Sequence, residues 1–468
     1  MNNKQSSKKK IKYIVLIIAV ALIGTILACA FSMLISTGGK RVVRNEIMYF
    51  ILAALILLPI MLIIFLMALV FGKKKIEETD SSVEINGSLK AIGKGIKKGK
   101  VDKEEENGER TRFYMLSEID ARSVKYQKEQ YETEVTLKEF CEGFRNFASY
   151  KLQLYYSIED IRRFVAGLAV SKIVILQGMS GTGKTSLAYA LGDYIGNPST
   201  VVPVQPMWKE RTDLIGYYNE FTKKFNETVL LQKMYEANYS RSMYVTILDE
   251  LNIARVEYYF AEFLSLLEIA SPERRHLDIV TDEWANDPIQ LRGGQMRLPN
   301  NMWFIGTANN DDSTFAISDK VYDRAMIMNL DNKCEPFKAP KTKEKKITAE
   351  KFFELAKEAI EEYPITNRNL NRLEKLDRYM IKTFNITFGN RIMKQIQQYI
   401  PIYVACGGEE LDALDDILSK KVLRKLETQN PVYIRSVVDS FCEYLDELFG
   451  VNKMKLCKDY VQRIKKNV

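Results

Sequence analysis

The chain has 468 residues and a net charge of +8, and 46% of its residues are apolar, which suits a globular protein rather than a disordered chain. Its six cysteines are scattered without a CxxC pair, so the composition disfavours a zinc site or a disulfide framework and favours a reducing compartment. A histidine-dependent hydrolase would have to use His276, the only histidine, which lies in a polar stretch typical of a protein surface.

The first 75 residues contain two long apolar runs, residues 13–36 and 47–72, and neither run has a charged side chain. At about 1.5 Å per residue, each helix would exceed the roughly 30 Å hydrocarbon core of a bilayer. Lysines precede the first run and follow the second, so residues 1–75 predict a transmembrane hairpin with both ends in the cytoplasm. A cleaved signal peptide is the alternative, which the length of the first run disfavours. The predicted location is the cell membrane, two-pass, with the later domains in the cytoplasm.

Residues 76–112 are charged, contain glycines and have few aromatic side chains, which predicts a flexible linker. Within this linker the segment KAIGKGIKKGKVDK carries six lysines. Two interpretations of these lysines stay open, attraction to anionic lipid headgroups and a merely solvated linker. Nucleic-acid binding is disfavoured because no aromatic side chain is interleaved for stacking on bases.

From residue 113 onwards the composition is that of a folded protein, and residues 113–150 predict an N-terminal extension of the domain that follows. Residues 157–170 have helical apolar spacing and a Ser-x-x-Asp start, which predicts a capped helix. Strand-like apolar runs then alternate with helical patterns, at residues 173–176, 200–204, 244–248 and 302–305. This alternation predicts an α/β domain over residues 151–335 with a largely parallel sheet. A polar, basic boundary separates it from a helical region, residues 345–468.

The segment GMSGTGKT matches the phosphate-loop pattern GxxxxGK[ST] in full, between an apolar strand and a helical run. Its glycines let backbone N–H groups converge on phosphates at a helix N-terminus. Lys184 would neutralise the outer phosphates, and Thr185 would hold Mg²⁺. The predicted nucleotide-binding residues are Gly178, Met179, Ser180, Gly181, Thr182, Gly183, Lys184 and Thr185.

A second apolar strand, YVTIL, ends in two acidic residues, Asp249 and Glu250. An acidic strand end is the expected partner of a phosphate loop. Asp249 would bind the Mg²⁺ through water, and Glu250 would orient and polarise the attacking water. Two acids at a strand end also occur in solvated turns, but the complete phosphate loop upstream favours the catalytic interpretation.

Three segments resemble the McrB/MoxR (AAA_5-like) group of AAA+ ATPases. They are LDELNIARVEYYFAEFLSLLE at residues 248–268, VQPMWKERTDLIGYYNEFTKKF at residues 204–225, and MRLPNNMWFIGTANNDDST at residues 296–314. The last segment departs from the McrB branch at Ser313, where that branch has an arginine. This departure leaves a McrB-type preference for GTP unsupported.

The resemblance implies a fold class: an α/β P-loop AAA+ domain with a parallel sheet and a C-terminal helical lid, here preceded by the two-helix transmembrane hairpin. It implies that Asn309 is the first sensor, that Arg324 reaches the nucleotide of a neighbouring subunit, and that Arg391 is the second sensor on the lid. An arginine that acts on a neighbour implies a homo-oligomer, usually a hexameric ring in this group. The expected ligands are ATP, with GTP as the alternative, and Mg²⁺.

The sequence leaves open what this ATPase acts on. One hypothesis is a membrane-anchored ATPase that remodels or translocates a protein partner, as MoxR relatives do. A second is a McrB-like motor that moves nucleic acid and works with a separate nuclease in defence. A third is a nucleotide-dependent membrane scaffold or signalling switch, which the intact Lys184, Asp249 and Glu250 disfavour.

Overall fold

The computed structural model describes residues 111–126, 130–309, 314–331 and 333–467. These residues belong to one compact unit, residues 104–468. Three helices precede the sheet: α1 (Tyr114–Tyr126), α2 (Leu137–Leu152) and α3 (Ile158–Val170). The hydroxyl of Ser157 accepts a hydrogen bond from the Asp160 backbone N–H at 3.0 Å, so α3 begins at the cap that the sequence predicts.

Strands and short helices alternate through the α/β part of the unit. In chain order they are β1 (Ile173–Gln177), α4 (Lys184–Tyr194), β2 (Thr200–Pro203), α5 (Arg211–Ile215), β3 (Tyr218–Asn219), β4 (Lys224–Phe225), α6 (Val229–Ala237), β5 (Tyr244–Asp249), α7 (Val256–Tyr259), α8 (Ala261–Leu266), β6 (His276–Asp278), β7 (Leu291–Arg292), β8 (Gln295–Arg297), β9 (Met302–Ala308), α9 (Asp319–Tyr322) and β10 (Met326–Asn329).

Six helices make up the C-terminal region: α10 (Ala349–Glu362), α11 (Asn367–Phe384), α12 (Gly389–Ala405), α13 (Glu410–Lys421), α14 (Pro431–Phe449) and α15 (Lys455–Asn467). A 3₁₀ segment, Leu423–Thr428, connects α13 to α14. We call residues 349–467 the helical region.

Five strands form one parallel sheet in the order β10-β1-β9-β5-β2. In its register, Ile175 of β1 lies between Gly306 of β9 and Ile327 of β10. The parallel sheet that four apolar runs predict is confirmed, and β10, only four residues long, adds a fifth strand at one edge. Two small antiparallel sheets, β3-β4 and β6-β8-β7, lie outside it.

Both faces of the parallel sheet are buried, which explains why its strands are apolar without alternation. Val174 and Leu176 of β1 face a core that they share with α2, α3, α4 and the helical region. Ile173 and Ile175 face the opposite core, formed with α1 and α5 to α8. The sheet is therefore a central layer covered on both faces. We call the line of its strand ends the carboxyl edge and the line of its strand starts the amino edge.

The prediction of a transmembrane hairpin needs correction. Across the ranges that the structure describes, no helix combines the length and the apolar character needed to cross a bilayer. Even the longest, α14, carries Arg435, Asp439 and Glu443, because its core-facing stripe alternates with a charged face. The predicted spans in residues 1–75 and the linker up to residue 110 lie outside the described residues. The fold class is thus an α/β domain with C-terminal helices, and neither the membrane hairpin nor the two-pass membrane location is supported.

Candidate active site

The phosphate-loop segment connects β1 to α4 at the carboxyl edge of the parallel sheet. Gly178 has φ +142°, and a Cβ there would lie 2.5 Å from the Leu330 carbonyl oxygen, so this position requires glycine. Gly181 has φ +77° with open space around it, at the exposed tip beside Met179 and Ser180. Gly183 caps the N-terminus of α4. The loop thus leads into the N-terminus of α4, where unpaired backbone N–H groups form the kind of site that binds anions.

Lys184 is buried within this loop although it carries a charge. Its Nζ donates hydrogen bonds to the carbonyl oxygens of Gly178 at 2.8 Å and Met179 at 2.7 Å. These bonds hold the ammonium group along the inner side of the loop. A buried cation at the start of a helix creates a strongly anion-attracting position.

Tyr156, which the sequence analysis did not single out, contacts the phosphate loop at its last glycine. Its hydroxyl donates to the Gly183 carbonyl oxygen at 3.0 Å, and burial raises the pKa of the phenol. The hydroxyl therefore stays protonated and remains a donor. A tyrosine just before a capped helix has no sequence signature that would predict this contact.

Asp249 lies directly opposite the loop, although 64 residues separate it from Thr185. The Thr185 hydroxyl donates to Asp249 Oδ1 at 2.9 Å, and the Thr307 hydroxyl donates to the same oxygen at 2.8 Å. The structure therefore brings together the two predicted metal-holding residues. It adds Thr307, from β9, as a second hydroxyl on the carboxylate.

Glu250 follows β5 in a left-handed conformation, with φ +54° and ψ +47°. This conformation is uncommon for a residue other than glycine and costs about 1 kcal/mol or more. The backbone N–H of Glu250 donates to Thr307 Oγ1 at 2.9 Å. Thr307 thus holds both acidic residues, through the side chain of Asp249 and the backbone of Glu250. Glu250 itself is exposed.

Asn309 directly follows β9, so it lies at the same carboxyl edge as Asp249. Its backbone carbonyl accepts hydrogen bonds from Asn252 Nδ2 at 3.0 Å and Thr314 Oγ1 at 3.1 Å. Asn309, Asn252 and Gly178 line a cavity of about 620 Å³. The helical region closes this cavity on the other side with Lys420, Arg424, Glu427, Tyr460 and Arg463. Residues 310–313, which carry the departure at Ser313, lie outside the described residues.

Arg324 lies at the opposite, amino edge of the sheet. It precedes β10, and its carbonyl oxygen accepts from the hydroxyl of Ser171, which precedes β1, at 2.9 Å. The five residues of β1, at about 3.3 Å each, separate this edge from the phosphate loop by roughly 17 Å. Arg324 therefore cannot reach a phosphate held by the loop of its own chain.

Arg391 lies beside Arg324 and not beside the phosphate loop. Arg324 Nη2 donates to Glu268 Oε2 at 2.9 Å, and Arg391 forms a salt bridge with the other oxygen of the same carboxylate. Both arginines line a cavity of about 770 Å³ at the amino edge. The charged residues of this cavity are mostly basic: Lys172, Glu268, Arg275, Arg324, Arg391 and Lys394. The structure thus places the two predicted arginines together and separates both from Lys184, Asp249 and Glu250.

The groups at the carboxyl edge fit a nucleoside triphosphate with a divalent cation. The loop offers N–H donors and a buried ammonium for phosphates, and Gly181 leaves the mouth open. Thr185 and Asp249 supply the hydroxyl and carboxylate oxygens that Mg²⁺ prefers. Bound Mg²⁺ usually keeps several waters and takes further ligands from the phosphates of the nucleotide, so two protein ligands suffice for such a site.

Comparison with known proteins gives family matches for two parts of the chain. Residues 173–325 match the family model described as an AAA domain of the dynein-related subfamily, and residues 339–468 match a domain of unknown function, DUF8727. None of the curated proteins matches the chain. Among solved structures, the chain is similar to a candidate ATPase from Cytophaga hutchinsonii, with 13% identity, a TM-score of 0.41, and coverage of 70% of this chain and 96% of that one. The site described above lies within an AAA+ ATPase domain, which binds nucleotide.

Proposed function

We propose that this AAA+ ATPase hydrolyses ATP with Mg²⁺ as a homo-oligomeric ring, hexameric as is usual in the group it resembles, and uses the cycle to remodel or translocate a protein partner. The position of Arg324 supports the proposal of a ring, because Arg324 lies at the edge of the sheet opposite its own phosphate loop. In a head-to-tail ring, the amino edge of one subunit can face the carboxyl edge of the next.

Each residue of the carboxyl edge has a separate task in this proposal. Lys184 and the loop N–H groups bind the phosphates, and Thr185 and Asp249 hold Mg²⁺, which when bound neutralises charge on the phosphate oxygens. Glu250 orients and polarises the attacking water, and Asn309 contacts that water or the terminal phosphate. Arg324 of the neighbouring subunit supplies positive charge for the transition state.

A protein partner is favoured by apolar side chains exposed on loops of the α/β part. Phe221, in the turn between β3 and β4, is fully exposed, and Met207 and Ile289 are each about 70% exposed. Exposed apolar groups of this kind suit contacts with a polypeptide. Nucleic acid is the second candidate, because Lys223 and Lys224 closely follow this exposed aromatic residue in the chain.

Mixing two inactive variants tests the ring directly. Arg324→Ala leaves the hydrolytic groups of its own subunit intact, whereas Glu250→Gln leaves Arg324 intact. Each full-length variant alone should lose turnover, on the order of 10³-fold, while still binding ATP. An equal mixture should recover about a quarter of the wild-type rate, because one head-to-tail interface in four then combines both intact parts. A mixture as slow as its components would refute action on a neighbour.

The same assay distinguishes a protein substrate from a nucleic-acid substrate. Wild-type ATP and GTP hydrolysis is measured alone, with an unfolded protein and with DNA, and Lys184→Ala serves as the nucleotide-binding control. Stimulation by the unfolded protein supports the proposal. Stimulation by DNA alone, weakening steeply with salt as phosphate contacts do, would support the nucleic-acid motor instead.

A further inference from the structure

The turn that carries Arg324 is held by side chains at four consecutive backbone carbonyls. Lys421 Nζ donates to the Tyr322 carbonyl at 2.7 Å and also to the Ala325 carbonyl. Gln395 Nε2 donates to the Asp323 carbonyl at 3.1 Å. The Arg324 carbonyl takes the fourth bond, from Ser171. We call residues 322–325 the arginine turn.

Three of these four hydrogen bonds come from the helical region. Gln395 lies on α12, one helical turn after Arg391, and Lys421 is the last residue of α13. Arg424, just beyond α13, lies with its guanidinium 3.1 Å from the centre of the Tyr322 ring and pairs with Asp319 at 2.9 Å. The arginine turn, part of the α/β domain in sequence, is therefore fastened to the helical region in space.

Burying the ammonium group of Lys421 costs more free energy than a purely structural contact would require. It is buried, and burial lowers the pKa of its ammonium group to about 7. Asp323 opposes this shift, whereas Arg424 and Arg391 reinforce it. Its partners are the carbonyl of Tyr322, the last residue of the one-turn helix α9, and the carbonyl of Ala325, the residue before β10. A cation suits the carbonyl at a helix C-terminus. An apolar side chain of similar length, such as methionine, would leave both carbonyls without this donor.

We propose that Lys421 is a positioning residue, which ties the helical region to the arginine turn so that the helical region sets where Arg324 meets the nucleotide of a neighbouring subunit. This inference rests on the proposed role of Arg324. It makes the helical region of each subunit a regulator of the next subunit's site. Tyr322 extends the connection, because its hydroxyl accepts a hydrogen bond from Gln177, the residue before the phosphate loop.

The first test is Lys421→Met in the full-length chain, which removes the donor but keeps the length of the side chain. Turnover should fall by about tenfold to a hundredfold, because a misplacement of about 1 Å at a reacting centre has effects of that size. The ATP dissociation constant should stay within about threefold, since the phosphate loop is untouched. Lys458→Met, which removes a salt bridge to Asp446 in the same helical region, is the matched control and should leave turnover unchanged. Wild-type turnover in Lys421→Met would overturn the inference.

Mixing then shows which site Lys421 serves. If it positions Arg324, Lys421→Met subunits should be rescued by Glu250→Gln subunits and should not be rescued by Arg324→Ala subunits. Rescue by Arg324→Ala would mean that Lys421 acts on the nucleotide of its own subunit, which overturns the inference. If Lys421→Met does not fold, Gln395→Ala, which removes one bond to the same turn, is put through the same mixtures with the same expected and contrary outcomes.

The design separates this inference from the proposed function. If Arg324→Ala and Glu250→Gln fail to rescue each other, the action of Arg324 on a neighbour is wrong, whatever Lys421 does. If they do rescue each other but Lys421→Met subunits do not show the expected rescue by Glu250→Gln subunits, only the positioning role is wrong.

Discussion

At the scale of single residues, Thr307 connects the two acidic residues of the site. Its hydroxyl donates to Asp249 and accepts from the Glu250 backbone, so it holds a carboxylate and a left-handed backbone at once. Neither contact can be read from the run MWFIGTA, because a threonine inside a buried strand suits the fold equally well without a functional role. Thr246, on the neighbouring strand β5, shows that second case, since its buried hydroxyl has no hydrogen-bond partner.

These two threonines give a matched pair for mutation. Thr307→Val should lower ATP turnover by about tenfold to a hundredfold, because it frees Asp249 and the strained Glu250 backbone. ATP binding should change little, since Lys184 and the loop remain. The measurement is steady-state ATP hydrolysis together with nucleotide binding at equilibrium.

Thr246→Val is the control for Thr307→Val, with the same change of shape in the same sheet. It should leave turnover unchanged and should alter the free energy of unfolding by less than about 1 kcal/mol, because no hydrogen bond is lost. Equal effects of the two substitutions on turnover would contradict the role given to Thr307.

At the scale of elements, α1 is attached to the α/β part by a buried ion pair at its start. Arg112 makes two hydrogen bonds to Asp287, at 2.8 and 2.6 Å, and a third to Asp282 at 2.7 Å. Its guanidinium also lies 4.5 Å from the centre of the Trp284 ring. The sequence places Arg112 at the end of a charged linker, where nothing indicates that it would be buried.

Arg112→Ala should destabilise the protein by about 3–5 kcal/mol, because it leaves the buried Asp287 carboxylate without its partner. Chemical denaturation with a probe of tertiary structure measures this loss. Arg122→Ala is the control, since its exposed pair with Glu118 on α1 should contribute only about 0.2–0.5 kcal/mol. A loss below about 1 kcal/mol for Arg112→Ala would show that α1 is not held by this pair.

At the scale of the whole molecule, Lys421 makes the junction between the helical region and the sheet sensitive to pH. Its folded-state pKa of about 7 lies below its ordinary value of 10.5, so between these values the unfolded chain binds the proton more readily than the folded one. The contribution of Lys421 to stability should therefore rise with pH from about 7 towards 10. The free energy of unfolding of the wild type minus that of Lys421→Met should increase over this range, and a flat difference would contradict the burial described.

The parallel sheet also explains why the predicted residues separate into two groups. Parallel strands place every strand end at one edge and every strand start at the other. Lys184 and Asn309 follow strands and Asp249 ends one, so all three lie at the carboxyl edge, whereas Arg324 precedes a strand and lies at the amino edge. The apolar pattern did not predict β10, so only the place and direction of β10 in the sheet show which edge Arg324 occupies.

The sequence by itself determined the phosphate-loop segment, the acidic strand end and the parallel sheet, because each depends on residues adjacent in the chain: glycine spacing, an apolar run and alternation of strand and helix. Tertiary structure alone decided that Thr307 holds both acids, that Arg391 joins Arg324 on Glu268, and that Lys421 fastens the arginine turn. These contacts join residues far apart in sequence, for example Lys421 and Tyr322, 99 positions apart. Their geometry arises only when the sheet and the helical region pack together, and no local pattern of residues specifies it.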